Sequence, residues 1–466
     1  MARHLLLGAV RDHAGEAVDW ARRLLTVRNV LLVVLALALW LRLVYVTELP
    51  GQSIRGLQPL NPLLGDAARY DSIATNLIEG KGYRNTKGED PVPVLPPAYP
   101  TFLAATYKLT AHSYSAVRIA QAFLGAATCA VVYLIGRKAF NPATGIIAAL
   151  LAAAYPWFIF WNRILITETL LIFLLSLGVL TMLWAVEKPL PRNLAAAGLL
   201  LALANLTHTS VPILPVLFAG WLLPALGWRR GARAAGIFLA FFFLALVPWT
   251  ARNYAHYQQV LPVSALGGLN LYVANNPYTI ADQPHTSNLP DRDPVVMQEV
   301  EGKPFLEQDR ILRNKAINYI FDHPGTLLSN GWKRVKVFWE EVPAPAVFNM
   351  PLLRSEYYRE NVDRVLLLAF AAGAAVALVR WRTAVVLLLV PLQYSLLHVF
   401  FPVNDVTVRA RLPAMLVAIV LAAFAVYAAW SLFTNLPLWA CAVRSGMKER
   451  SLHRTWRLLR TSRKSQ

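Results

Sequence analysis

The sequence predicts an all-α protein that crosses a membrane many times, and three observations carry this prediction. The chain of 466 residues is 56% hydrophobic and only 15% charged, whereas a typical soluble domain is about 25% charged. Its apolar residues form runs of the length that a bilayer-crossing helix needs, roughly 20 residues. Short clusters of Lys and Arg separate these runs. The composition excludes a soluble multidomain protein, a disordered chain and a disulfide scaffold.

About ten apolar runs are candidate membrane spans. They lie near 29–47, 116–136, 142–161, 166–186, 193–207, 210–227, 234–251, 363–379, 383–401 and 412–433. With these spans, the basic clusters between the runs all fall on one side of the membrane. Cytoplasmic loops are enriched in Lys and Arg, so this side is the cytoplasm and both termini are expected there. The net charge of +19 is therefore attributed to cytoplasmic loops, and no nucleic-acid partner is expected.

The two ends of the chain are predicted to be cytoplasmic segments that contact membrane lipids. Residues 1–28 place Leu7, Val10 and Ala14 at helical spacing among charged residues. This pattern predicts an amphipathic arm lying on the membrane surface, with a solvated arm as the alternative. Residues 434–466 form a basic tail that is expected to contact anionic headgroups. The membrane domain is then 29–433.

Two polar segments are too long to be simple connections, and both fall on the non-cytoplasmic side. One covers about 48–115 and the other about 252–362. Long loops are uncommon in compact proteins and are often functional. We therefore expect the catalytic groups in 48–115. In 252–362 we expect a small helical lid that contributes to the choice of acceptor.

The first outer segment contains a short predicted helix that begins at Asp66 and ends before Gly80, a usual helix-terminating residue. Asp66, Arg69 and Tyr70 stand at positions i, i+3 and i+4, so they share one face of this helix. An acid, a cation and a phenol on one face can hold a hydroxyl group and an anionic leaving group together. The alternative is that Asp66 only caps the helix and pairs with Arg69.

Several short motifs follow one another along the chain. They are Asp66–Tyr70, Gly80–Tyr83, Pro96–Pro100, Ser115–Gln121, Leu165–Glu168, Pro248–Tyr254, Gly267–Asn270 and Arg409–Ala414. In this order, and placed on the outer face, they resemble the GT-C superfamily of membrane glycosyltransferases. Within it the chain is similar to the family 39 or dolichyl-phosphate-mannose-protein mannosyltransferase-like group, which includes the aminoarabinose transferases of lipid A. The resemblance covers most of 29–433.

The resemblance implies the GT-C fold and an enzyme of the glycosyltransferase class, either a hexosyl- or a pentosyltransferase. Such an enzyme moves a sugar from a polyprenyl-phosphate donor to a hydroxyl or phosphate on a lipid, glycan or protein acceptor, with inversion at the anomeric carbon. The reaction is expected on the periplasmic or extracytoplasmic face of the inner (plasma) membrane. The alternative is a transporter or flippase of lipid-linked sugars. That function predicts inverted repeats and ionisable residues deep within spans, and the sequence shows neither pattern.

The resemblance also implies two catalytic acids. Asp66 matches the essential acid of the first outer loop and is expected to act as general base toward the acceptor. Glu168 matches a second acid at the outer start of the fourth span. It is expected to hold the acceptor, orient a partner of Asp66 or help to bind a cation. The alternative for Glu168 is an interfacial residue at a helix N-terminus, where negative charge is favoured.

Binding of the donor phosphate and sugar is expected from cations and hydroxyl or imidazole donors on the outer face. The candidates are Arg69, Tyr70, Tyr99, His398, Arg409 and Arg411. Arg409 and Arg411 occupy the place of the family's motif before the last span, and guanidinium groups suit phosphate. For His398 the alternative is a buried structural histidine.

The sequence departs from the aminoarabinose transferases just before Pro96. Those enzymes carry acidic and lysine residues there, implicated in metal and phosphate contacts, whereas this chain reads Pro93, Val94 and Leu95. Neither a zinc site nor a phosphate-binding lysine can therefore be transferred to this chain. A divalent cation such as Mg²⁺ or Mn²⁺, shared by Asp66 and Glu168, remains open, although no metal-ligand spacing requires one.

Overall fold

The computed structural model describes residues 26–47, 66–85, 95–279, 293–340, 356–402 and 407–444. The predicted arm before residue 26 and the basic tail after residue 444 lie outside these residues. So do the first part of the proline-rich segment that precedes Leu95 and residues 280–292 of the second outer segment.

Throughout the described ranges the regular structure is helical, as the sequence predicts. The α-helices are α1 (Val27–Thr47), α2 (Asp66–Ile78), α3 (Ala98–Thr110), α4 (Tyr114–Ala139), α5 (Pro142–Ala154), α6 (Pro156–Phe160), α7 (Glu168–Glu187), α8 (Pro191–Thr207), α9 (Leu214–Leu226), α10 (Trp228–Tyr257), α11 (Gly267–Ala274), α12 (Pro294–Val300), α13 (Phe305–Asp322), α14 (Pro324–Glu340), α15 (Glu356–Ala377), α16 (Trp381–Phe400) and α17 (Thr407–Arg444). A 3₁₀ turn, Leu378–Arg380, joins α15 to α16.

Each of the ten predicted spans coincides with helix. Six stretches are long and apolar enough to cross a membrane, and they lie in α1, α4, α7, α10, α16 and α17. The other four predicted spans fall on α5 continued by α6, on α8, on α9 and on α15. Large apolar side chains on the outside of the bundle, such as Val33, Trp40 and Phe243, are exposed, as expected for helices that face lipid. The protein is therefore a multi-pass membrane protein.

The third predicted span, 142–161, is broken where α5 gives way to α6 at Pro156. Proline has no N–H to continue a helix, so carbonyl groups at the end of α5 need other donors. Arg42 of α1 supplies them. Its Nη1 donates to the Ala38 oxygen at 2.9 Å and to the Ala153 oxygen at 3.3 Å, and its Nη2 donates to the Ala152 oxygen at 3.2 Å. This fully buried guanidinium thus ties the first span to the interrupted third one.

Helices α7 and α8 form an antiparallel hairpin. Their packing is tight at Gly178, where an added Cβ would lie 2.7 Å from Cδ2 of Leu201. Because α7 begins at Glu168 and α8 ends at Thr207, the start of one helix and the end of the other lie at the same end of the hairpin.

The described part of the second outer segment forms α11 to α14. Helices α11, α12 and α13 surround a small core of their own, separate from the main one, whereas Phe338 of α14 belongs to the main core. Asp309 of α13 accepts hydrogen bonds from the backbone N–H groups of Gly268 and Leu269, at 2.8 and 3.0 Å, and so satisfies the free N-terminus of α11. Arg334 of α14 donates to the carbonyl of Ala274 at 2.8 Å. The segment is thereby fixed as a helical unit rather than a loose loop.

Candidate active site

Three charged side chains from distant parts of the chain meet at the N-terminal ends of α2, α7 and α17. Asp66 is the first residue of α2, Glu168 is the first residue of α7, and Arg409 lies in the first turn of α17. Nη1 of Arg409 lies 3.5 Å from Oδ2 of Asp66, and its Nε donates to Oε1 of Glu168. The guanidinium therefore stands between the two carboxylates that the sequence predicts to be catalytic.

These three side chains differ in their access to solvent. The side chains of Asp66 and Arg409 are 38% and 24% exposed, whereas that of Glu168 is only 4% exposed. A buried carboxylate needs a partner, and Arg409 provides it. Asp66 and one part of Arg409 therefore form the open side of the cluster, with Glu168 behind them.

Both acids occupy helix N-termini, where the partial positive charge of the helix favours a carboxylate. Each acid thus has the helix-terminal position that its structural alternative predicts. Each also contacts Arg409, which a capping role alone does not explain. Arg69 lies 3.8 Å from Asp66, and its side chain is 68% exposed. A surface pair of this kind contributes little, so Arg409 is the more significant partner of Asp66.

Tyr70 lies one helical turn after Asp66 in α2, close enough to Asp66 and Glu168 for their charges to act on it. It is buried and packs edge-on against Tyr99 with the ring centres 5.2 Å apart. Burial raises the pKa of the Tyr70 hydroxyl above its ordinary value, and the carboxylates of Asp66 and Glu168 act in the same direction, while Arg409 opposes them. At neutral pH the phenol therefore keeps its proton and is a hydrogen-bond donor.

Tyr99 supports the segment that leads into α7. It is fully buried, and its hydroxyl donates to Oε1 of Gln121 at 2.7 Å. Nε2 of Gln121 in turn donates to the carbonyls of Asn162 and Ile164, at 3.0 and 2.9 Å. These contacts place Tyr99 in a network that positions Glu168, rather than on an open surface that faces a substrate.

Arg411 has partners other than those expected of a phosphate ligand. Its buried Nη2 lies 2.5 Å from Oδ2 of Asp363, and its Nη1 donates to the carbonyls of Phe338 and Trp339. Oδ1 of the same Asp363 accepts from the Tyr155 hydroxyl at 3.0 Å. These contacts join α17 to α15, to the end of α14 and to the break before α6. They account for Arg411 as a structural brace and leave it no exposed donor for a lipid phosphate.

His398 is also buried away from the acid cluster. Its ring packs against Phe338 at 4.6 Å between centres, and its carbonyl accepts from Nε of Arg334 at 3.1 Å. These surroundings match the alternative of a structural histidine. Arg409 is thus the candidate cation that the structure brings to both acids.

A further residue near the cluster, His208, was not singled out from the sequence. It directly follows α8, and the charges of Arg409, Glu168 and Asp66 all act on its imidazole. A lone histidine between two apolar runs is not a specific signal. Its predicted position at the outer end of a span, level with the start of the fourth, was the one indication available.

The described residues contain no group of three or more His, Cys, Asp or Glu side chains arranged to hold a metal ion. Asp66 and Glu168 both point to Arg409, so a cation shared by them would have to displace a guanidinium. The donor set therefore does not fit Mg²⁺ or Mn²⁺ in this arrangement.

Comparisons with known proteins bear on the fold. Residues 94–251 match the model of the family described as dolichyl-phosphate-mannose-protein mannosyltransferase. No curated protein sequence matches the chain significantly. The fold matches that of the oligosaccharyltransferase AglB from Archaeoglobus fulgidus in complex with an inhibitory peptide and a dolichol-phosphate, with a TM-score of 0.52 and 13% identity over 91% of this chain and 52% of that one.

Two further solved structures are similar to this chain to different degrees. AglB tethered with an acceptor peptide containing the NVT sequon has a TM-score of 0.52 and 15% identity, over 88% of this chain and 50% of that one. ArnT from Cupriavidus metallidurans bound to undecaprenyl phosphate has a TM-score of 0.36 and 14% identity, over 87% and 79%. The chain spans about half the length of AglB. At these identities the likeness to AglB concerns the fold alone.

Proposed function

We propose that this chain, which has the GT-C fold of polytopic membrane proteins and matches the mannosyltransferase family over residues 94–251, is an integral-membrane glycosyltransferase. It would move a sugar from a polyprenyl-phosphate donor to an acceptor on the non-cytoplasmic face of the plasma membrane. The observation that carries the proposal is the exposed carboxylate of Asp66 beside the partly exposed guanidinium of Arg409, with Glu168 buried behind them.

Asp66 is proposed as the general base. The acceptor hydroxyl attacks the anomeric carbon of the donor sugar and gives its proton to the Asp66 carboxylate. A base in this role typically contributes 10²–10⁴-fold to the rate. Because a single displacement takes place, the configuration at the anomeric carbon inverts. The same geometry would serve a phosphate acceptor by orienting it, without the need to remove a proton.

Arg409 is proposed to bind the donor phosphate. As the anomeric C–O bond breaks, its electron pair stays on the phosphate oxygen, and a guanidinium stabilises this charge. Nε and Nη1 of Arg409 contact the two acids, and Nη2 makes no hydrogen bond to any described residue. Glu168 would orient the guanidinium from behind, and Tyr70 would support Asp66 from below.

The comparisons support the nature of the donor. The AglB structure contains a dolichol-phosphate, and the matching family is described by its dolichyl-phosphate-mannose donor. The basic clusters on the opposite side support an extracytoplasmic site. The proposal covers hexose or pentose donors and lipid, glycan or protein acceptors.

The test uses purified full-length protein in lipid nanodiscs with a panel of labelled polyprenyl-phosphate hexoses and pentoses, and with envelope fractions as acceptor. We expect Asp66→Asn to lower transfer at least 100-fold. The matched control is Glu79→Gln, which changes an exposed acid of the same segment that pairs with Lys81. Full transfer by Asp66→Asn would refute the proposed base. Movement of the lipid-linked sugar between leaflets without transfer would favour the flippase alternative instead.

A further inference from the structure

His208 and Glu168 lie at the same end of the α7–α8 hairpin, within about one helical turn of each other along its axis. Gly178 and Leu201 are in contact and set the register of the two antiparallel helices. Glu168 lies ten residues before Gly178, about 15 Å along α7. His208 lies seven residues after Leu201, just past the last residue of α8, about 10 Å along the same axis.

The connection that carries His208 is held firmly to α16. Oε1 of Gln393 accepts from the backbone N–H groups of Ile213 and Leu214, at 3.2 and 3.0 Å, and its Nε2 donates to the Ser210 carbonyl at 2.7 Å. A side chain on such a connection has a fixed position, which is what a site needs from a residue that binds a substrate.

The Nδ1 atom of His208 is buried and has no hydrogen-bond partner within the part of the chain that the structure describes. Most buried polar atoms are paired, and each exception calls for an explanation. The imidazole lies where the charges of Arg409, Glu168 and Asp66 act on it. The unpaired Nδ1 of His208 therefore belongs to the candidate active site.

The imidazole is neutral in this position. Burial lowers the pKa of His208 to about 4, the charge of Arg409 acts in the same direction, and the two carboxylates oppose it. A neutral imidazole has one nitrogen that accepts a hydrogen bond. If Nδ1 is that nitrogen, it can accept a hydrogen bond from an O–H group.

We propose that His208 is a substrate-binding residue of this site and that its Nδ1 accepts a hydrogen bond from a hydroxyl group of the bound substrates. The inference rests on the proposed function and deepens it, because it names a second polar contact beside Asp66. The hydroxyl belongs either to the donor sugar or to the acceptor. When an analogue lacks this hydroxyl, Nδ1 of His208 stays buried and unpaired. The site therefore discriminates against such an analogue.

The test compares His208→Phe, which keeps a ring but has no acceptor atom, with His208→Asn, whose amide oxygen can stand near the position of Nδ1. The control is His256→Phe at an exposed histidine. We expect His208→Phe to lower kcat/KM about 10- to 100-fold, the effect of leaving one hydrogen bond unmade. We expect His208→Asn to recover part of this loss and the control to match the unmodified protein.

Two binding measurements identify the source of the hydroxyl. If it belongs to the donor sugar, His208→Phe weakens binding of a polyprenyl-phosphate sugar but not of bare polyprenyl phosphate. If it belongs to the acceptor, both lipids bind normally and the KM for the acceptor rises. Either result supports the inference.

Other outcomes overturn it. Unchanged kcat/KM in His208→Phe would refute the role of His208 and leave the proposed function standing. Equal losses in the Phe and Asn variants, accompanied by a lower melting temperature, would show a packing role. An unmodified protein that neither binds nor turns over any donor of the panel would refute the proposed function, and this inference with it.

Discussion

Arg409 and Glu168 bind each other across 241 positions of the sequence, and this contact joins the start of the last span to the start of α7. Glu168 is almost fully buried while Arg409 keeps an open edge. The pair therefore holds one guanidinium in a fixed orientation next to Asp66.

Glu168→Gln removes the charge that orients Arg409. Breaking a buried ion pair costs about 3–5 kcal/mol, and we expect roughly 1–3 kcal/mol here because Arg409 is partly exposed to solvent. The melting temperature in detergent and the rate of transfer should both fall. The control is Glu187→Gln at the other end of α7, where an exposed pair with Lys138 should contribute less than about 1 kcal/mol. Equal behaviour of the two variants would contradict the role of Glu168.

Arg409→Lys and Arg411→Met separate a binding role from a structural one. Lysine keeps the charge of Arg409 but loses the planar fork, so affinity for polyprenyl phosphate should fall while the fold persists. Arg411→Met leaves Asp363 buried without its partner and should destabilise the protein by about 3–5 kcal/mol. The measurements are lipid binding and thermal unfolding on each variant. A stable Arg411→Met protein that has lost lipid binding would restore Arg411 as a phosphate ligand.

Tyr99→Phe should affect stability more than chemistry. The change leaves Oε1 of the buried Gln121 without its donor, at a cost of about 1–3 kcal/mol. We expect a lower melting temperature and a nearly unchanged rate per folded molecule below it. A large loss of rate in a protein of normal stability would show instead that the Tyr99 hydroxyl touches a substrate.

The lowered pKa of His208 makes the stability of the protein depend on pH. In the unfolded chain this histidine gains a proton near pH 6.5, whereas in the folded protein it does so only near pH 4. Between these values the unfolded state binds more protons, so stability falls as the pH is lowered from about 6.5 to 4. Relative to His208→Asn, the melting temperature of the unmodified protein should decrease across this window. A constant difference between the two proteins would contradict the shift.

The sequence predicted the helices and the class of the protein well, because a helix needs a minimum hydrophobic length to cross a bilayer. It could not tell Arg409 from Arg411. Two residues in a helix are about 200° apart, so the two side chains point to nearly opposite sides, and only the packed bundle shows which side holds Asp66.

The partners of Tyr99 and His398 depend in the same way on tertiary contacts with Gln121 and Phe338. No local pattern encodes these contacts. The motif order singled out Asp66 and Glu168 as candidates, but the burial of Glu168 and the unpaired atom of His208 required the structure.

Arg42 anchors the first span through main-chain oxygens of α5 rather than through a side chain. These hydrogen bonds involve no carboxylate that could take up a proton, so a lower pH would not weaken them. Either alanine, 152 or 153, could be exchanged for another small residue without removing a bonded atom. A change of Arg42 itself, even to lysine with its single nitrogen, would remove most of these hydrogen bonds and leave the end of α5 unsupported.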